Sequence, residues 1–91
     1  MKNERFEWDD RKARANLAKH DLRFEVGCLV FDDPNFFEQA DADPHEERFK
    51  VTGLANERLL TVIYTERLPR IRIISVRKAS RHEQKAYVDQ G

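Results

Sequence analysis

Three features of the chain predict an α+β domain: an alanine-, lysine- and arginine-rich stretch near its start, three β-rich runs joined by short turns in its second half, and a helix-capping signature after the last of them. The predicted order is β-α-α-β-β-β-α, a small antiparallel sheet with the two N-terminal helices packed on one face. Ninety-one residues are too few for two independent cores, so 1–91 read as one domain.

Arg5-Phe6-Glu7-Trp8 alternates polar with aromatic residues, as a short half-buried strand does. Asp9 offers an N-cap for a helix from Arg11 to His20, built from strong helix formers, with Ala13, Leu17 and His20 on one side. Phe24, Cys28 and Phe31 recur at i, i+4 and i+7. They predict a second amphipathic helix ending before Asp33-Pro34, because the residue before a proline avoids the helical region. Residues 34–47 contain two prolines, many acids and little periodicity, and read as a surface loop. Strands follow at Arg48–Ala55, Leu59–Thr65 and Ile71–Arg77, with turns at Asn56-Glu57-Arg58 and Arg67-Leu68-Pro69; connections this short favour an antiparallel meander. Ser80 with Glu83 three residues later forms a capping box, so a last helix begins near Arg81 and runs to about Asp89. Trp8, Phe24, Phe31 and Phe49 fit the buried sides of their elements. Phe36-Phe37, two adjacent phenylalanines in an acidic loop, either pack on their own protein or dock a partner.

The formal net charge is zero, but the charges are segregated. From Asp32 to Glu47 there are acids and no lysine or arginine, whereas Arg67, Arg70, Arg72, Arg77, Lys78 and Arg81 form a run with no acid. A second basic group, Arg11, Lys12, Arg14, Lys19 and Arg23, is broken only by Asp21. A basic face is the footprint of an anionic partner, and the alternative is neutralisation by the chain's own acidic loop. Parity complicates the last strand, since Arg72 and Arg77 cannot share a side of a regular strand. Either a bulge reverses the alternation near Ser75, or Arg77 reaches around the strand end.

Several chemistries lack their residues. Cys28 is the one cysteine, and neither CxxC, HxH nor HExxH occurs, so no metal site is expected. A phosphate-cradling glycine loop is absent, which removes nucleotide cofactors. No run approaches the roughly 18 apolar residues that cross a bilayer, and MKNERFEWDD holds no signal-like apolar stretch, so a cytoplasmic protein without membrane contact is expected.

Phe6-Glu7-Trp8-Asp9 with Lys12, Asn16 and Lys19-His20, Val30-Phe31-Asp32-Asp33-Pro34, Glu46-Glu47-Arg48-Phe49, and Tyr64-Thr65-Glu66-Arg67 with Ile71-Arg72-Ile73-Ile74-Ser75 and Arg77-Lys78-Ala79 together resemble the BrnT family of bacterial ribonuclease toxins. These pieces cover nearly the whole chain in order. The resemblance implies a RelE-like fold and metal-independent endoribonuclease action on messenger RNA. It also implies a cognate BrnA-like ribbon-helix-helix antitoxin that forms a hetero-oligomer with the toxin and alone contacts operator DNA. Two positions depart from the family pattern: Asp21 stands where glycine is expected and Val76 where alanine is. Aspartate tolerates the left-handed conformation that ends a helix, whereas the bulk of Val76 is expected to reshape the site.

Metal-free cleavage uses the 2′-hydroxyl as internal nucleophile, so the protein must take a proton, stabilise a doubly charged phosphorane and protonate the leaving 5′-oxygen. Arg72, Arg77 and Arg48 suit the phosphorane, because a guanidinium donates to two oxygens at once and keeps its charge. His20, Glu47 and Tyr64 are candidates for proton transfer, with Lys12 and His82 behind them, and Lys12, Lys19, Lys78 and Arg81 for RNA binding. Each has a bland alternative: surface ion pairs for the arginines, a capping or packing histidine for His20, an exposed first turn for His82. The nuclease reading requires the guanidiniums of the last strand to converge, open to water, on a cavity for a ribose and its phosphodiester. A non-catalytic nucleic-acid binder and a protein-interaction module are the competing classes.

Overall fold

The computed structural model describes residues 1–90. Strand β1 (Phe6–Glu7) leads into α1 (Asp10–His20), and α2 (Phe24–Cys28) runs into a 3₁₀ turn at Leu29–Asp32. Strands β2 (Phe37–Asp41), β3 (Arg48–Ala55), β4 (Arg58–Arg67) and β5 (Arg70–Lys78) follow, and α3 (Arg81–Gln90) comes last. The class is α+β, as expected, but the order β-α-α-β-β-β-β-α has one strand more than predicted.

The extra strand, β2, lies inside the segment read as a loop. Phe37-Glu38-Gln39-Ala40-Asp41 is exposed at its three central positions, so burial imposes no apolar alternation, yet its backbone pairs with β3. The spatial order is β1-β5-β4-β3-β2. Strands β2 to β5 pair antiparallel, whereas β1 runs parallel to β5, with Phe6 opposite Ile71 and Glu7 opposite Arg72. The sheet is therefore mixed, not antiparallel throughout.

The helices also depart from the expected pair on one face. Helix α2 and the 3₁₀ turn cover one face of the sheet, where Phe24 and Val30 join Val51, Leu60, Val62, Tyr64, Ile73 and Val76 in the core. Fully enclosing a side chain such as Phe24 contributes about 1.5–3 kcal/mol. The single helix predicted through Phe31 gives way at Leu29 to the tighter 3₁₀ pitch, and this lets adjacent Val30 and Phe31 both pack on the core. Gly27 allows the close approach: a Cβ there would stand 2.5 Å from Val76 Cγ2 and 3.3 Å from Val62 Cγ2. Val76 thus points into the core beneath α2, and its bulk does not reshape the open face, contrary to expectation.

Helix α1 lies along the edge of β5 that the two-residue β1 leaves unpaired. Asn16 takes the place of a neighbouring strand: its Nδ2 donates to Val76 O at 2.9 Å and its Oδ1 accepts from Val76 N–H at 3.0 Å. Nδ2 also donates to Leu22 O, which fixes the chain as it leaves the helix. Asp9 caps α1 through the Arg11 and Lys12 amides. Asp21 ends it in the left-handed conformation, φ 57° and ψ 36°, donating its N–H to Leu17 O, as its tolerance of that conformation led one to expect. Asp33 joins distant parts by accepting from the amides of Asn35 and Leu54 and from the Tyr87 hydroxyl of α3.

Candidate functional site

A bulge decides the parity question. Ile63 of β4 faces Ser75 and Tyr64 faces Ile73, so Ile74 is an extra residue on β5 and the alternation reverses there. Arg72 then stands opposite Thr65 and Arg77 opposite Thr61, two residues on the same side of regular β4. Both arginines share the face turned away from α2, with Ser75 between them, roughly 13 Å apart along the strand. Alternation on β3 adds Arg48 and Lys50 to this face, because Phe49 and Val51 point into the core. Lys50 was not among the residues picked from the sequence, although reading alternate residues onward from Arg48 would have found it.

These cations are not free. Arg72 Nη1 donates to Glu7 Oε2 at 2.6 Å. Arg77 donates from both terminal nitrogens to the two oxygens of Glu83, at 2.7 and 2.9 Å. Arg48 pairs with Asp43 at 2.7 Å and Asp41 at 3.5 Å, and Lys50 lies 3.8 Å from Glu83. Unpaired, converging guanidiniums are thus not what the last strand presents, contrary to what the nuclease reading required of it, and any unpaired cations for RNA must come from another element. The side chains of Arg72 and Arg77 are 26% and 30% exposed, so both still meet water. Burial drives the Glu83 carboxyl upward, but hydrogen bonds from Arg77, the Ser80 amide and Thr61 prevail and bring it down to about 2. The Arg72 hydrogen bond holds the Glu7 carboxyl below its ordinary value. Neither acid was selected from the sequence, although the capping box had marked Glu83.

Between α1 and the bulge lies a hollow of about 210 Å³ lined by Lys12, Ala15, Asn16, Lys19, His20, Ile74 and Ser75. Three sequence candidates from one helix, Lys12, Lys19 and His20, therefore meet the last strand where it bulges. No ion pair involves any of them among the described residues. Ser75 Oγ reaches Asn16 Oδ1 at 3.3 Å, so the floor of the hollow is held by the same asparagine that satisfies Val76. Arg72 does not line the hollow; it lies two residues before Ile74 on β5 and pairs with Glu7, two residues ahead of the Asp9 cap of α1.

Other candidates fall elsewhere. Tyr64 is on the opposite, core face, buried against Phe31 and Phe49 with its hydroxyl on Glu38, and the sheet separates it from Arg72. Glu47 is exposed ahead of β3 and meets the sheet through its carbonyl, which accepts from Thr65 Oγ1 at 2.7 Å. Lys78 lines a separate hollow at the β3–β4 turn with Leu54, Glu57, Arg58, Leu59 and Gln84, and Arg81 is exposed at the start of α3. A larger cavity of about 570 Å³ is lined by Met1, Asn3, Glu4, Arg5, Phe6, Trp8, Glu25 and Cys28 and contains no candidate residue. Among the described residues no three His, Cys, Asp or Glu side chains are grouped to hold a metal ion, and no helix is long and apolar enough to cross a membrane.

A family model described as ribonuclease toxin, BrnT, of type II toxin-antitoxin system matches residues 8–83. No curated protein matches the chain.

Proposed function

The chain belongs to the BrnT family of ribonuclease toxins of type II toxin-antitoxin systems, and on that premise we propose that it cleaves messenger RNA without a metal, in the hollow between α1 and the bulged strand β5. A toxin of this kind implies an RNA substrate and a cognate antitoxin; we take the antitoxin to be a ribbon-helix-helix protein, the domain to be RelE-like with β2 as an added edge strand, and the site of action to be the cytoplasm. The observation that carries the reading is the bulge at Ile74, which sets Ser75 between Arg72 and Arg77 on one face and beside Lys12, Lys19 and His20.

Phosphate binding and one of the two proton transfers of internal attack have groups within this region. Lys12 and Lys19, unpaired, meet the phosphate charge at once, whereas Arg72 must exchange Glu7 for a phosphate oxygen. A phosphodiester is a charged, bidentate acceptor like the carboxylate it would displace, so the exchange replaces one charge-assisted hydrogen bond by another. His20, half-buried at the end of α1, is the proton-transfer group in reach of the hollow. Arg77, on the same face, is held by Glu83 and fixes the strand, and Arg48, paired with Asp43 and Asp41, lies two strands away from the hollow. The carboxylate partners of the arginines favour a second reading, in which the face binds RNA without cutting it.

Product analysis separates the two. Purified chain incubated with messenger RNA in excess chelator is expected to yield 2′,3′-cyclic phosphate ends, which Arg72→Ala and Lys12→Ala/Lys19→Ala suppress. RNA recovered intact, bound with affinity that falls steeply with salt, would establish the binding-only reading instead.

A further inference from the structure

We infer that the antitoxin docks on the uncovered half of the core face, around Phe49 and Tyr64, through a segment that sets lysine or arginine beside apolar residues. The inference rests on the chain's being a toxin restrained by a protein partner, and it assigns that partner a surface separate from the RNA hollow.

Helix α2 covers the core face over Val62 and Val76. Toward the other end of the strands, Phe31 and Phe49 are only half-buried, and their rings flank Tyr64 at centroid distances of 5.2 and 5.5 Å. Glu38 of β2, opposite Val51, and Glu66, two residues beyond Tyr64 on β4, stand on the same face. Tyr64 donates its hydroxyl to Glu38. Neither Glu38 nor Glu66 takes part in an ion pair among the described residues. Partial burial and then the repulsion of Glu66 push the Glu38 carboxyl above its ordinary value. The contrast with the other face, where every named arginine has a carboxylate, is direct: here two carboxylates at an aromatic surface await a cation. Leu68, 82% exposed on the turn just after Glu66, and the unpaired outer edge of β2 extend the surface with an apolar side chain and free backbone donors and acceptors.

Charge selects among occupants. RNA is repelled by the two acids. A second copy meeting this face about a two-fold axis would bring the same carboxylates against each other. A basic, partly apolar protein segment satisfies both the charge and the aromatic rings.

The test is calorimetric titration of the chain with its purified cognate antitoxin, with circular dichroism confirming the fold of each variant. E38K/E66K is expected to weaken binding about 100-fold, and E38Q/E66Q about tenfold, while RNA cleavage persists in both. K12E/K19E is expected to do the opposite, losing cleavage and keeping antitoxin affinity. Should E38K/E66K not fold, the tenfold loss in E38Q/E66Q decides. Wild-type affinity in the glutamate variants, an equal loss in K12E/K19E, or a wild-type homodimer that E38K/E66K dissociates would each overturn the docking surface. Absence of RNA cleavage by wild-type chain sinks the nuclease reading alone, because the affinity comparison stands without it.

Discussion

Arg72 and Arg77 occupy the same strand and the same face, each opposite a threonine of β4, yet the carboxylates that hold them belong to different kinds of structure. Glu83 is enclosed and accepts from both Arg77 nitrogens, from Thr61 Oγ1 at 3.0 Å and from the Ser80 amide at 2.8 Å, with Lys50 beyond. That carboxylate joins α3 to β4 and β5 and caps the helix as well. Glu7 rests on a two-residue strand and accepts one hydrogen bond from Arg72. A cation whose carboxylate is tied into five contacts is part of the architecture, whereas one whose carboxylate makes a single side-chain contact can trade partners.

The largest effect expected from this difference is on stability. Arg77→Ala leaves Glu83 buried without its bidentate donor, and breaking a buried pair from one side costs about 3–5 kcal/mol. Urea unfolding should show that loss in Arg77→Ala, and a midpoint close to wild type in Arg72→Ala. Stable Arg77→Ala protein that has lost cleavage would break the comparison and move Arg77 to the substrate.

Next in size is the effect of Arg72 on the reaction. Deleting one preorganised donor to a developing anion lowers turnover about 10²–10³-fold, so Arg72→Ala should lose cleavage by that factor with its fold intact. Arg72→Lys should recover little, because an ammonium lacks the planar fork that grips two oxygens. Single-turnover cleavage assays check both.

The legibility of these features followed from how much each depends on neighbours in sequence. Strand β3 was read at its observed limits and α3 within one residue, because alternation and the Ser80–Glu83 box are local signals. Strand β2 escaped, since its identity lies in backbone pairing with β3 and its exposed side chains carry no pattern. The parallel β1–β5 contact and the strand-like role of Asn16 join residues about sixty apart, and nothing near either one announces them. Parity posed the bulge as a question but could not answer it, because the extra residue, Ile74, differs in no way from its aliphatic neighbours. The arginines were visible one by one; their partners Glu7 and Glu83 were not, as pairing is settled by the fold.

Acid sharpens the comparison more gently. A carboxyl held at about 2 against an ordinary 4.5 stabilises the fold fully above pH 4.5, and that contribution drains away as pH falls toward 2. Glu7 is shifted in the same direction by its one bond. The urea midpoint should therefore decline across this range, and Glu83→Gln should flatten the slope more than Glu7→Gln does. Equal flattening would mean that the two pairs are embedded alike.

The smallest effect is expected at Asp21, which touches neither pair. Its left-handed conformation suits glycine better, and an aspartate at a helix C-terminus opposes the dipole; glycine, in return, frees the unfolded chain by up to about 1 kcal/mol. The net for Asp21→Gly is a gain of about 0.5 kcal/mol, a rise of roughly 2–4 °C in melting temperature. Because independent sites add, the losses caused by Arg77→Ala and Arg72→Ala should be the same in the Asp21→Gly background. Cleavage by Arg72→Ala that changes when Asp21 is replaced would show that the end of α1, with His20, and Arg72 act on the substrate as one unit across the hollow.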